Sequence, residues 1–260
     1  MSRFSSLEII MVSKNNIDDF RKSFQGIKEL LSSNFRVIVV DSSTTSEIAE
    51  EANRLIDSGE NILYAWEEPQ GIYHAMNTGI SLCEDGSLVW FLNPGDRLTN
   101  PSLIFELVDL IESSDSIWGY GLASYDKDSL TSPRLFPRIL ENNIQTLFSG
   151  ELQISHQSML VSKEVLIDLG MFDSRFQIAA DFDFQLKLLA QYSPQILAKH
   201  MIIVDTTGVS HSQQIRTLFE SFIIRLKQKE FSTFKTIYWL IITVANRIKS
   251  SRRLRLHRAN

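Results

Sequence analysis

The chain has 260 residues, 43% hydrophobic and 22% charged, with a formal net charge of −5. That is ordinary globular composition and enough length for one large domain with an appendage, and it argues against a disordered or collagen-like chain. A single cysteine, Cys83, excludes a disulfide framework, fits a reducing compartment and reads as a small buried hydrophobe.

The net charge hides an asymmetry. Residues 216–260 carry 11 Lys/Arg against 2 Glu, whereas residues 1–215 hold 15 basic and 29 acidic side chains. An acidic body does not favour nucleic acid, while a basic tail suits an anionic surface. MSRFSSLEIIMV lacks a long apolar run followed by small residues, so no secretory signal is expected. IYWLIITVA, residues 237–245, is too short to span a bilayer.

In chain order, LEIIMVS (7–13) is a short β-rich apolar run. Residues 17–33 follow with Phe20, Phe24, Ile27, Leu30 and Leu31 at helical spacing. FRVIVVDSS (35–43) carries a continuous apolar run, residues 37–40, ending in Asp41, as expected of a parallel strand buried on both faces. TSEIAEEANRLIDSG (45–59) is a helix started by Thr45 or Ser46 and followed by Gly59. ILYAWEE (62–68) is a third strand, GIYHAMNTGISLC (71–83) a helix, and SLVWFLNPGD (87–96) a fourth strand. Repeated strand–helix units predict an α/β fold with a mainly parallel sheet flanked by helices.

Ligands of such sheets bind beyond the carboxyl ends of the strands. Those ends are Ser13-Lys14-Asn15, Asp41-Ser42-Ser43, Glu67-Glu68-Pro69 and Asn93-Pro94-Gly95-Asp96. Each alone reads more simply as turn or cap chemistry; four at one rim suggest a site. Ser13 and Asp41 are thus candidate ligand contacts. No P-loop, G-x-G-x-x-G, G-x-S-x-G elbow or Cys/His metal spacing occurs.

VVDSSTTSE, EEPQGIYHAMNTGI, LVWFLNPGDRL and HQSMLVSKEVLIDLGMFDSRFQIAADFDFQLKLL together resemble family 2 glycosyltransferases of the GT-A fold, over about residues 7 to 210. The resemblance is to bacterial enzymes that assemble surface polysaccharide. It implies inverting transfer of a sugar from a nucleotide-diphosphate-sugar, with a UDP-sugar favoured, to a hydroxyl of a glycan or lipid-linked acceptor. It also implies a divalent metal, Mg²⁺ or Mn²⁺.

Given such a donor, the rim positions Ser13 and Asp41 would contact it, Asp41 at its base or ribose; by the same resemblance Gly71, Asn77 and Asn93 approach the donor, Gly71 because no Cβ stands in the way. Asp96 holds the metal, and His211 is a further candidate ligand. His156 and Gln157, read as following a strand-like segment, lie near the donor sugar or the acceptor. Asp181 matches the catalytic base. Asp183 reads as a supporting carboxylate beside the acceptor or as a helix-start residue, and two carboxylates so close suggest one raised pKa. Two positions depart from the pattern: His74 stands where relatives commonly carry Asp, and Asn93 where a first carboxylate often stands.

The expected division is a glycosyltransferase domain over 1–211 and a basic amphipathic helical extension over 212–260. The expected location is cytoplasmic, with the extension lying on the inner face of the cell membrane or packed on the body or a partner. Two rival readings stay open. One is a nucleotide-sugar binding protein without turnover, suggested by His74 and Asn93. The other is a sugar nucleotidyltransferase, which needs a basic glycine-rich N-terminal loop that residues 9–21 lack.

Overall fold

A computed structural model describes residues 3–31, 35–126, 133–137, 144–206, 213–228, 236–241 and 243. The chain divides into two units, Met1–Ser212 and Gln213–Asn260.

The first unit is built on one eight-stranded sheet in the order β3-β2-β1-β4-β7-β6-β8-β5. Its strands are β1 (Leu7–Ser13), β2 (Phe35–Asp41), β3 (Ile62–Trp66), β4 (Leu88–Phe91), β5 (Arg97–Leu98), β6 (Trp118–Tyr125), β7 (Met159–Ser162) and β8 (Gln195–Val204). Strands β3, β2, β1 and β4 are parallel. Strand β7 runs antiparallel between β4 and β6, β8 is parallel to β6, and β5 closes the edge antiparallel to β8.

Helices α1 (Ile17–Ile27), α2 (Glu47–Asp57), α3 (Ile72–Leu82) and α4 (Ser102–Ser113) connect the first half, and α5 (Ile144–Ser149), α6 (Lys163–Asp168) and α7 (Ala180–Gln191) the second. All seven residues of β1 are buried, which accounts for its apolar run over residues 9–12, and the one charged residue, Glu8, is paired with Arg36 at 2.9 Å. Successive side chains leave the sheet on opposite faces. Leu7, Ile9 and Met11 join one core with Phe20, Phe24 and Ile27 of α1 and Ile48 and Leu55 of α2. Ile10 points the other way, towards α3, where Gly79 lets the helix approach: a Cβ there would meet Ile10 Cγ2 at 2.5 Å.

Three local expectations are corrected. The fourth strand ends at Phe91, because Pro94 and Gly95 (φ 98°) turn the chain before Asp96. Ser46 precedes α2 but gives its hydroxyl to Glu50 Oε1 at 2.6 Å and makes no backbone cap. His156 and Gln157 do not follow a strand; they form a 3-10 turn, His156–Ser158, that leads into β7.

The second unit contains α8 (Gln214–Lys227). Ile215, Phe219 and Leu226 are exposed along it. Among the described residues no helix is long and apolar enough to cross a membrane.

Candidate active site

The parallel half of the sheet aligns three strand ends. Register sets Ser13 opposite Asp41 and Asp41 opposite Trp66. Asp41 is fully buried and accepts from the Ser43 backbone N–H and the Tyr64 hydroxyl, each at 2.9 Å. Burial, reinforced by the Asp41 bond and charge, pushes the Tyr64 phenol up to about 12. The Ser13 hydroxyl is buried without a hydrogen-bond partner among the described residues. Trp66, overlooked in the sequence, leaves half its surface exposed at the end of β3 and donates its indole N–H to the Ser43 carbonyl. The signal for it was an aromatic at the last position of a strand otherwise headed for the rim.

Helix α3 begins just beyond this rim. Gly71 precedes it at φ 109°, ψ 160°, backbone that only glycine adopts readily. His74 Nδ1 lies 3.1 Å from Glu67 Oε1, and Thr78 donates to Glu67 Oε2 at 2.5 Å. His74, one of the two departures, and Thr78 are thus both tied to Glu67, the residue just beyond β3. Asn77 uses both ends of its amide on one backbone residue: Nδ2 donates to Phe172 O at 2.8 Å and Oδ1 accepts from Phe172 N at 3.0 Å. It fastens the 171–172 segment to α3.

The turn after β4 is a tight polar knot. Ser23 of α1 donates to the Asp96 carbonyl at 2.8 Å and accepts from Gly95 N at 2.9 Å. The Asp96 carboxylate is buried; it accepts from Asp205 N at 2.9 Å and Asn93 N at 3.3 Å. Burial pushes its pKa up to about 7, against smaller lowering effects from those backbone bonds, His156 and a Gln157 hydrogen bond. No cationic side chain pairs with it among the described salt bridges. A buried carboxylate of this kind, fixed in direction by two N–H groups, suits a hard divalent cation that completes its shell with phosphate oxygens and water. Among the described residues there is no cluster of three or more His, Cys, Asp or Glu that could hold a metal ion. His211 lies outside the described residues.

The second half of the chain brings further polar groups to this knot. Trp90 of β4 holds the 3-10 turn by donating to Gln157 O at 2.7 Å, and Gln185 of α7 holds the segment before it by donating to Ile154 O at 3.1 Å. The turn then directs Gln157 towards Asp96 and His156 towards Asp181 in the first turn of α7. His156 Nδ1 is 3.3 Å from Asp181 Oδ2, and the Tyr73 hydroxyl of α3 is 2.9 Å from Asp181 Oδ1 and 2.7 Å from Ile178 O.

Burial by itself would raise the Asp181 carboxyl. The bond from His156, the charge that ring carries when protonated, and the Tyr73 bond outweigh burial, so the pKa is held below its ordinary value. This corrects the expectation of a raised pKa from carboxylate crowding. Asp183 is turned away into an ion pair with Lys187, 2.7 Å from Nζ, so it does not join the cluster. Asp181, Asp96, His156, Gln157 and Asn93 are brought together; Asp183 is not.

Comparison with known proteins follows this geometry. The model of Glycosyl transferase family 2 matches residues 8–170, and the chain belongs to that family. It is 24% identical over 225 residues to an uncharacterized glycosyltransferase of Mycobacterium tuberculosis, covering 84% of this chain and 82% of that one. It is 25% identical over 183 residues to a PGL/p-HBAD biosynthesis glycosyltransferase of Mycobacterium bovis, covering 65% and 63%. In three dimensions it resembles S. aureus TarS 1-349 in complex with UDP-GlcNAc, with a TM-score of 0.66 at 14% identity over 90% of this chain and 70% of that one. It also resembles the mannosyltransferase PcManGT from Pyrobaculum calidifontis in complex with GDP-Man and Mn²⁺, with a TM-score of 0.64 at 17% identity over 91% and 68%. The α/β sheet with its flanking helices is the GT-A fold, and the protein is a glycosyltransferase.

Proposed function

We propose that this glycosyltransferase moves a hexosyl group, with inversion, from a nucleotide-diphosphate-sugar to a hydroxyl of a glycan or lipid-linked acceptor in surface polysaccharide or glycolipid assembly. The observation that carries this reading is the meeting of two differently tuned carboxylates at one rim. Asp96 is buried and pushed up to about 7, while Asp181 is held below the ordinary range. Groups whose surroundings drive their pKa values apart divide chemical roles between them.

In this reading the nucleotide lies over the ends of β1, β2 and β3, against the face of Trp66, with Ser13 and the fully buried Asp41 shaping the rim beneath its base or ribose. Gly71 lets backbone approach the donor, and Asn77 acts indirectly by fixing the 171–172 segment. Asp96, with Asn93 beside it, would hold Mg²⁺ or Mn²⁺, which when bound neutralises negative charge building on a departing diphosphate. Asp181 takes the proton of the attacking hydroxyl. The carboxylate stays ionised at neutral pH, and each of its oxygens keeps a lone pair beyond those used by Tyr73 and His156. Gln157 steadies Asp96, and Asp183 supports α7 through Lys187.

A UDP-sugar is the favoured donor; UDP-GlcNAc in TarS and GDP-Man in PcManGT mark the two nucleotide classes to try first. The glycolipid side is supported by the PGL/p-HBAD relatives. Residues 1–211 would form the catalytic domain and 212–260 a basic extension that rests on an anionic membrane surface at the cytoplasmic face. The test is a thermal-shift screen of UDP- and GDP-sugars with Mn²⁺, followed by turnover of each hit with lipid-linked glycan acceptors. Binding with turnover supports the proposal, whereas binding without any turnover or donor hydrolysis would favour a non-catalytic nucleotide-sugar binder.

A further inference from the structure

His156 sits between two groups of opposite hydrogen-bonding sense. On one side, Nδ1 is 3.3 Å from Asp181 Oδ2, a carboxylate that accepts. On the other, Nε2 is 3.3 Å from the Asn93 side-chain nitrogen, an amide that donates. An imidazole carrying one proton satisfies both neighbours in one way, with the proton on Nδ1 and the lone pair on Nε2. The opposite tautomer would set two N–H groups against each other at Asn93 and two acceptors against each other at Asp181.

The ring has little freedom to escape this arrangement. Its side chain is 17% exposed and that of Asp181 25%. The turn that carries it is pinned from β4 through Trp90 and Gln157, and the segment before it from α7 through Gln185 and Ile154. Asp181 is tethered on its other oxygen by Tyr73.

We propose that His156 is a positioning residue: Asn93 fixes it in the Nδ1–H form, and that N–H orients the Asp181 carboxylate. The proposal rests on the reading of Asp181 as the base only for its consequence in turnover. It gives the Asn93 departure a purpose, since an aspartate at that position has no N–H to offer Nε2 and would demand a proton there instead. The alignment is a hydrogen-bonded chain Asn93–His156–Asp181–Tyr73 that crosses from the end of β4 to α7 and α3. A general base must be aimed at its proton as well as ionised, and removal of an orienting partner costs rate through misdirection.

The first measurement needs no substrate. In protein labelled with ¹⁵N at its five histidines, two-bond ¹H–¹⁵N spectra report which ring nitrogen carries the proton, with the His156 signal assigned by its loss in His156→Asn. The expected result is an Nδ1–H ring in the full chain, displaced in Asn93→Asp. The Asp181 side-chain ¹³C shift should move in His156→Ala and return towards the native value in His156→Asn, whose amide can reproduce the Nδ1–H donor.

An Nε2–H ring in the native protein, or an Asp181 shift indifferent to His156→Ala in a variant with a native melting profile, would overturn the proposal. With the donor identified by the ligand screen, His156→Ala should lower kcat at least tenfold with donor KM within about twofold, and His156→Asn should recover most of the loss. Should Asp181→Asn retain full turnover while the ring remains Nδ1–H and the carboxylate shift responds, the base assignment fails and the positioning geometry stands.

Discussion

The Tyr73 hydroxyl stands 2.9 Å from Asp181 Oδ1 across 108 residues of sequence. One residue comes from the first turn of α3, beside the rim of the parallel strands, and the other from the first turn of α7. The contact therefore joins the two halves of the sheet at the point where transfer would occur. Phe172 packs between the same two helices, with its ring 5.5 Å from Tyr73 and 5.3 Å from Phe184. An apolar wedge of this kind keeps the distance between the helices fixed while the polar groups above it do chemistry.

Replacement of Asp181 by Asn is expected to lower turnover by about 10²- to 10⁴-fold, the usual worth of a general base, with little change in donor affinity. Tyr73→Phe removes one hydrogen bond to a charged group, worth roughly 1.5–3 kcal/mol, so turnover should fall about ten- to hundredfold. Asp183→Asn weakens an ion pair with Lys187 and should affect turnover less than either. Steady-state kinetics of the three variants with matched melting curves provide the check. Loss of activity in Asp183→Asn with retention in Asp181→Asn would exchange the two roles.

Asp96 gives a pH dependence to the metal-free protein. Its folded pKa is raised from 3.8 to about 7. A raised folded pKa contributes stability that is complete below the unfolded value and is lost as pH rises through the folded value. For a fully buried group the loss is on the order of 4 kcal/mol. Melting temperature without metal should therefore drop between about pH 4 and 7 by more in the native protein than in Asp96→Asn. Addition of Mn²⁺ at pH 8 should restore the native protein and leave the variant unchanged. Parallel melting curves of the two proteins across that range would exclude the assignment.

Two glycine substitutions should act with opposite sign. Gly79→Ala drives a Cβ to 2.5 Å from Ile10 Cγ2, between α3 and β1. Overpacking of this kind costs about 1–3 kcal/mol. Gly26→Ala, inside α1, meets nothing within 4 Å. There alanine reduces the freedom of the unfolded chain and should stabilise by about 0.4–1 kcal/mol. Denaturant unfolding with matched slopes measures both.

Removal of residues 216–260 takes away 11 Lys/Arg and 2 Glu. It also removes the exposed Phe219 and Leu226 of α8. The shortened protein should lose binding to vesicles of anionic lipid in sedimentation while keeping a cooperative melt. Full-length binding should itself weaken as salt rises, since surface attraction of this kind is screened. Equal sedimentation of both forms would remove the extension from membrane attachment.

The strand–helix alternation through residue 96 was legible in the sequence because it is local. A parallel strand buried on both faces is a continuous apolar run, and the residues that follow it lie at the rim whichever strands become its neighbours. Ser13, Asp41 and Asp96 are found there for that reason. Pairing between distant segments is not written in such runs. The insertion of β7 antiparallel between β4 and β6 depends on which hydrophobic strands meet, and periodicity reports burial without naming a partner. The two α7 carboxylates show the same limit at the scale of a side chain. Asp181 and Asp183 are two positions apart, about 200° around a helix axis, so only one can face the cluster. The sequence offered both to the site; the rotation of α7 against Phe172 and the 3-10 turn gave Asp181 to His156 and Tyr73 and sent Asp183 to Lys187. Asn77 likewise carried a donor-facing expectation, and only the approach of Phe172 from 95 residues away engaged both ends of its amide.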